Sequence, residues 1–542
     1  MDERLNRRGG APVVPWLRSC LIVLVLFLGS AIRFYNLTEV LVDGRFYFVD
    51  SDCYSRMTRA ERVLREPGTV VRFHEFENWP EGIVSHATAP MDYAIAGLAV
   101  LLKPLLSAAG RFAVLKPAAI DAAGALIGPL IGACLCGVAA IWGAGIRNAA
   151  GKECEGWWAA PLLVACSPAL VHATVFGRPD HQSLIVGCMA LVFASEQRML
   201  QGGKGVFGWA WAGGLGLGLG LWVSLFEPLI ILGVILVCGA LFWRKSWTFS
   251  LRWRWALGVV SICGVGLAVD GVHFVVPDPE WREVLLRWGR TIGELQSLDS
   301  VSQLSRWGGS AVWLVPIGLW AASRQQGRAM FGWLLLIAVL AALTIWQIRW
   351  GAYFVLAMAF VAPWALATLG TNWQRSLVVL FSLWPMAAEW DALWFPKPSA
   401  VSARHLARSE KINARRAAER LRSAEVEPFV APWWHSSAIA YWSGQPAVAG
   451  SGHQGISGIV DTARVYMSNE PGRAREVFAR RGVKWVLAAD VAQLVDNSAA
   501  ILGAEARGTP LAEMLWKTVL DSEWGLEGEQ NVTTFRLLRV TR

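Results

Sequence analysis

Apolar runs close to the length of a bilayer crossing recur from Ser19 to Trp394, and no water-soluble globule could bury so many. With 54% hydrophobic and 17% charged residues, the chain reads as a polytopic α-helical membrane protein. Arg4, Arg7, Arg8 and Arg18 precede the first run, Ser19 to Ile32, which places the N-terminus in the cytoplasm by the positive-inside rule. No small-residue cleavage site follows that run, so it reads as a retained anchor with snorkelling arginines, Arg33 among them.

Further spans are read at 118–146, 157–176, 184–199, 206–226, 229–243, 255–275, 311–322, 331–346, 352–369 and 377–394. About eleven spans are expected in all. The run 91–106, broken by Lys103 and Pro104, reads as an interfacial helix, because a crossing there would put Asp180 on the wrong side. Arg147, Lys152, Arg198, Lys204, Arg244, Lys245, Arg252 and Arg254 then all fall on the cytoplasmic face. Residues 1–394 form the membrane domain, with external loops 36–88 and 277–306. Residues 395–542 have the composition of a soluble mixed α/β domain on the outer face: 402–425 reads as a charged helix, and VKWVLA and TTFRLLRV read as strands.

The formal net charge of +9 follows from basic loops on one face; there is no concentrated basic stripe and no nucleic-acid motif. No Cys follows Cys263 and no CxxC pair occurs, so the C-terminal domain lacks disulfides and the chain lacks a CxxC redox or zinc signature.

The stretch Tyr47 to Ala60, YFVDSDCYSRMTRA, sets Asp50 and Asp52 just outside the first span. One reading pairs these acids with Arg45, Arg56 and Arg59 on a solvated loop, where such pairs contribute little. Three other stretches share that face by topology: GRPDHQ with Asp180, TIGE with Glu294, and PWWHSS with Trp433. Asp180 next to Arg178 also fits an ion pair or helix N-cap, and Glu294 fits a loop acid paired with Arg287 or Arg290. Arg349 stands at the outer end of a span, where its guanidinium suits a phosphate or a snorkelling role. Asp270, inside an apolar run, is a further candidate. Trp433 and Trp434 fit domain core equally well.

In order and spacing these motifs resemble those of the oligosaccharyltransferase catalytic subunits, the single-subunit bacterial and archaeal type within the C-type glycosyltransferases. The resemblance extends over nearly the whole chain through DCY (Asp52, Tyr54), GRPDHQ (Asp180), TIGE (Thr291, Ile292, Glu294), QIRWGAYF (Arg349) and PWWHSSAIAYWSGQPAV (Trp433, Trp434). It implies glycan transfer from a polyprenyl phosphate or pyrophosphate to a protein asparagine on the outer face, by an enzyme working as a monomer or single subunit. It further implies Mg²⁺ or Mn²⁺ held by Asp52 and Asp180, with Gln182 where the family has an acid or His, or His181 turned inward instead. Asp52 and Glu294 would hydrogen-bond the acceptor amide, whose nitrogen is a poor nucleophile while its lone pair is conjugated. Arg349 would hold the lipid phosphate. Thr291, Ile292, Trp433, Trp434 and His435 would contact the acceptor, with His435 replacing the family's aspartate at the Ser/Thr hydroxyl. His435 leaves open a lipid, glycan or Ser/Thr acceptor, and Gln182 leaves open a catalytically degenerate paralogue. A transporter would show internal repeats and charges deep in its spans, and neither is clear.

Overall fold

The computed structural model describes residues 15–109, 118–147, 154, 156–244, 247–272, 278–505, 508–517 and 522–541. The expectations resting on Arg4, Arg7, Arg8, Lys152 and Lys245 lie outside that set. Among the described residues, ten helices are long and apolar enough to cross a membrane. They include 89–108, read above as interfacial, and omit two segments read above as spans. Segment 157–176 is divided into Ala159–Cys166 and Pro168–Ala173, because Pro168 supplies no backbone N–H to continue the helix. The helix Ala311–Gln326 is short, at 16 residues.

The Ala89–Ala109 helix has the length and composition of a crossing, and its start is tied to the end of a neighbouring helix. The Ala89 backbone N–H donates to Asp270 Oδ2 at the end of the Phe249–Val269 helix. The next described helix, Ala119–Gly145, carries Asp121 in its first turn, and Asp121 accepts from the Tyr441 hydroxyl of the C-terminal domain. The start of Ala89–Ala109 and the start of Ala119–Gly145 therefore lie on one face of the helical layer.

The membrane helices pack around Gly351–Leu366, which is almost wholly buried. At the end of the first span Arg33 does not snorkel. It is buried, with its Nε donating to Thr174 Oγ1 at 2.7 Å. The Gly-rich helix Val206–Val223 lies flat against its neighbours because residues such as Gly214 and Gly218 let adjacent backbone approach closely.

The C-terminal domain holds a four-stranded sheet in the order Phe429–Val430, Trp485–Ala488, Phe535–Val540, Leu526–Val532. Its first pair is parallel and the others antiparallel. VKWVLA and TTFRLLRV supply the two central strands as expected, and the charged helix runs Pro398–Arg420. The loop 36–88 shares this domain's core: Phe48, Tyr54 and Met57 pack in one cluster with Ala417, Ile439 and Leu537. Burying each large side chain stabilises by about 1.5–3 kcal/mol, so loop and domain are held as one body. Asn78 strengthens that union by accepting from the Gly458 backbone N–H at 2.9 Å and the Ser457 hydroxyl at 2.8 Å.

Candidate functional site

Asp50 caps the helix Ser51–Arg65: its Oδ1 accepts from the Cys53 backbone N–H at 3.1 Å, leaving Asp52 in the first turn. Among the described residues the three nearby arginines pair with other carboxylates and not with Asp52. Arg56 and Arg59 are taken by the buried Asp92 at 2.8 and 2.7 Å, and Arg45 by Glu419 at 2.9 Å. The solvated-pair reading is thereby replaced. Asp52 is exposed at its surface, yet protein groups crowd its carboxylate. Loss of bulk water, then the charges of Asp50 and Asp180, push its pKa up to about 8, against a hydrogen bond with Ser451 that lowers it. The Tyr54 hydroxyl accepts from the Phe48 backbone N–H at 2.9 Å, and its ring packs on Trp442 at 4.8 Å.

Asp180 occupies the N-cap position of His181–Gln201, but its side chain makes no cap hydrogen bond. Its Oδ1 lies 2.6 Å from His181 Nδ1 and its Oδ2 3.9 Å from Arg178. Burial raises this carboxyl, but His181 and Arg178 outweigh burial and hold it well below the usual range. Arg178 also reaches Asp50 at 3.6 Å.

Glu294 stands on the short turn Gly293–Leu295. It pairs with neither Arg287, which bonds Glu283 at 3.1 Å, nor Arg290; instead its Oε2 accepts from Gln182 Nε2 at 2.8 Å and its Oε1 lies 4.0 Å from Arg349. Arg349 sits on the turn Ile348–Trp350 between two membrane helices, its guanidinium paired with the buried Glu227 and 5.5 Å from the Phe226 ring. The Ile348 backbone N–H donates to the Gln296 carbonyl at 3.0 Å, tying the Glu294 loop to the Arg349 turn. Asp52, Asp180, Glu294 and Arg349, drawn from four distant parts of the chain, thus gather in one charged cluster.

The acceptor-motif residues divide. Thr291 donates to its own loop, Oγ1 to the Trp288 carbonyl at 2.7 Å, and Ile292 and Trp433 pack with Trp288, whose ring centroid is 5.7 Å from that of Trp433. Trp434 packs against the sheet core. His435 turns to the helix Pro398–Arg420, Nε2 to Glu410 Oε1 at 2.9 Å, with the Phe535 ring at 5.3 Å. Asp270 serves structure, accepting from Trp222 Nε1 at 2.6 Å.

Sequence reasoning missed Glu227, whose signal was a lone acid at the head of an apolar run. It also missed His86 and His453, whose rings lie 5.1 Å apart, His86 standing 6.2 Å from His181. His86 is exposed at its surface, and the protein crowded around its ring, then His453 and His181, lower its imidazole from the ordinary value.

The oxygen donors Asp52 and Asp180 suit a hard divalent cation, and the raised Asp52 carboxyl marks negative charge that a cation would relieve. As they stand, the described residues hold no group of three His, Cys, Asp or Glu side chains gathered around one point. Gln182 is engaged with Glu294.

No family model and no curated protein matches the sequence. Solved structures do match in fold. The archaeal oligosaccharyltransferase AglB from Archaeoglobus fulgidus, in complex with an inhibitory peptide and a dolichol-phosphate, superposes with a TM-score of 0.66 at 13% identity, over 92% of this chain and 72% of that one. ArnT from Cupriavidus metallidurans, bound to undecaprenyl phosphate, gives 0.52 at 12% identity over 97% and 98%. The mycobacterial arabinofuranosyltransferase AftD gives 0.50 at 13% over 98% and 42%. These likenesses establish the fold, a polytopic helical architecture with a C-terminal mixed α/β domain, shared with those three proteins.

Proposed function

We propose that the chain transfers a glycan from a polyprenyl phosphate or pyrophosphate to a protein asparagine on the face that carries the C-terminal domain. The observation carrying this reading is the convergence of Asp52, Asp180, Glu294 and Arg349 in one charged cluster. Arg349, fixed by Glu227, presents its guanidinium to the lipid phosphate at the end of the bilayer-spanning helices. Glu294 and Asp52 accept hydrogen bonds from the two amide protons of the acceptor, weakening the conjugation that makes its nitrogen a poor nucleophile. That role needs Asp52 as a carboxylate, so its raised pKa must fall when donor or cation arrives. Mg²⁺ or Mn²⁺ held by Asp52 and Asp180 would supply positive charge to the departing phosphate. The enzyme is a multi-pass membrane protein whose N-terminus is cytoplasmic and whose site face is extracytoplasmic, working as a monomer or single subunit.

A second reading, a lipid or glycan acceptor on the same fold, is favoured by His435 facing Glu410. One experiment separates the two. The purified protein in nanodiscs is given a polyprenyl-linked saccharide and an Asn-x-Thr peptide, and the products are read by mass spectrometry. A glycosylated peptide supports the first reading; a donor consumed only when lipid or glycan is added supports the second; an untouched donor in both cases overturns glycosyl transfer.

A further inference from the structure

Gln182 lies two residues past Asp180 in the first turn of a membrane helix, where its side chain reaches across to Glu294 on the external loop. A carboxylate only accepts hydrogen bonds, so the side-chain amide must present its NH₂ to Glu294, and its carbonyl oxygen is turned from that contact. A metal ligand would have to use the oxygen. Glu294 rides on a loop turn with its side chain about one-third exposed, and Arg349 stands at 4.0 Å, beyond hydrogen-bond distance. A donor borne by a packed helix is therefore what fixes the direction of a loop-borne carboxylate.

We infer that Gln182 is a positioning residue for Glu294: its amide N–H holds Oε2 and leaves Oε1 aimed for the acceptor amide. The inference rests on the proposed function. Gln182 belongs to the acceptor half of the reaction and not to a metal shell. The bond is charge-assisted, and its loss moves Glu294 out of line with the acceptor nitrogen.

The test compares wild type with Gln182→Ala and the isosteric Gln182→Glu, reading peptide turnover, acceptor KM, donor affinity and Mn²⁺ affinity, with thermal unfolding to verify folding. Gln182→Ala should lower peptide kcat by about tenfold to a hundredfold, the worth of a hydrogen bond to a charged group, with donor and Mn²⁺ affinities unchanged. Gln182→Glu sets two carboxylates against each other and should lose turnover as severely while binding Mn²⁺ at least as tightly. Wild-type turnover in Gln182→Ala overturns the inference, as does Mn²⁺ affinity lost in step with activity, or a Gln182→Glu enzyme that gains activity; all three leave glycosyl transfer standing. A wild-type protein that glycosylates no peptide overturns both the asparagine reading and the inference.

Discussion

His435 Nε2 and Glu410 Oε1 stand 2.9 Å apart, a contact that ties the residue after the tryptophan pair to the helix Pro398–Arg420. Because the carboxylate accepts, Nε2 carries the proton and Nδ1 of the neutral ring is left as an acceptor. The Glu410 carboxyl is held below its usual range, first by this hydrogen bond. A depressed acid contributes stability above its unfolded value and loses it as pH falls through the folded one. If Nδ1 reads an acceptor hydroxyl, Asn-x-Thr is transferred about tenfold to a hundredfold better than Asn-x-Ala. Glu410→Ala should erode that preference, and equal transfer of the two peptides by wild type would remove His435 from acceptor recognition.

Asp52 gives a pH signature. Its folded pKa of about 8 lies above the ordinary aspartate value. A raised acid costs nothing below its unfolded value, and the cost accumulates as pH rises from about 4 toward the folded value. Without divalent cations, Asp52→Asn should therefore unfold at a higher temperature than wild type at pH 9, and the two should converge near pH 4. Mn²⁺ should stabilise wild type and leave Asp52→Asn unmoved. Identical melting curves across the range would show that no such charge crowding exists.

Glu227 is 1% exposed and holds Arg349 while accepting from the Ser224 hydroxyl at 2.8 Å. Removing one partner of a buried pair strands the other, so Glu227→Ala should cost about 3 kcal/mol or more of stability and weaken donor binding. The double variant Glu227→Leu with Arg349→Met should regain most of the stability and none of the donor affinity. Denaturation monitored by tryptophan fluorescence and a lipid-phosphate binding assay separate the two effects.

The charged cluster was legible because its motifs depend on residue type and order: Asp52, Asp180, Glu294 and Arg349 each follow from a local pattern, and charge in short loops gathers them on one face. What those residues touch depends on geometry between distant segments. Gln182 could be read as a weak ligand from its place after Asp180, but its bond to Glu294 joins residues 112 positions apart. Hydropathy likewise identified 157–176 as apolar without the Ser167–Pro168 geometry that makes it break. Arg33 looked like a snorkelling residue because sequence gives no sign of Thr174 waiting behind it.

Side-specific labelling tests the whole arrangement at once. Tyr441 bonds Asp121, Trp433 packs on Trp288, and the Ser437 hydroxyl donates to Glu77 at 2.9 Å, so the C-terminal domain, both external loops and the charged cluster share one face. Ser457 is a poor reporter, because it is bonded to Asn78 and Arg481. Ser402 is exposed on the helix Pro398–Arg420 and leaves those contacts intact. In a chain whose native cysteines are replaced, Ser402→Cys should react with a membrane-impermeant maleimide in intact spheroplasts as fully as after permeabilisation. Reaction only after permeabilisation would put Asp52, Asp180, Glu294 and Arg349 on the cytoplasmic face, and the positive-inside assignment of every loop would then be inverted.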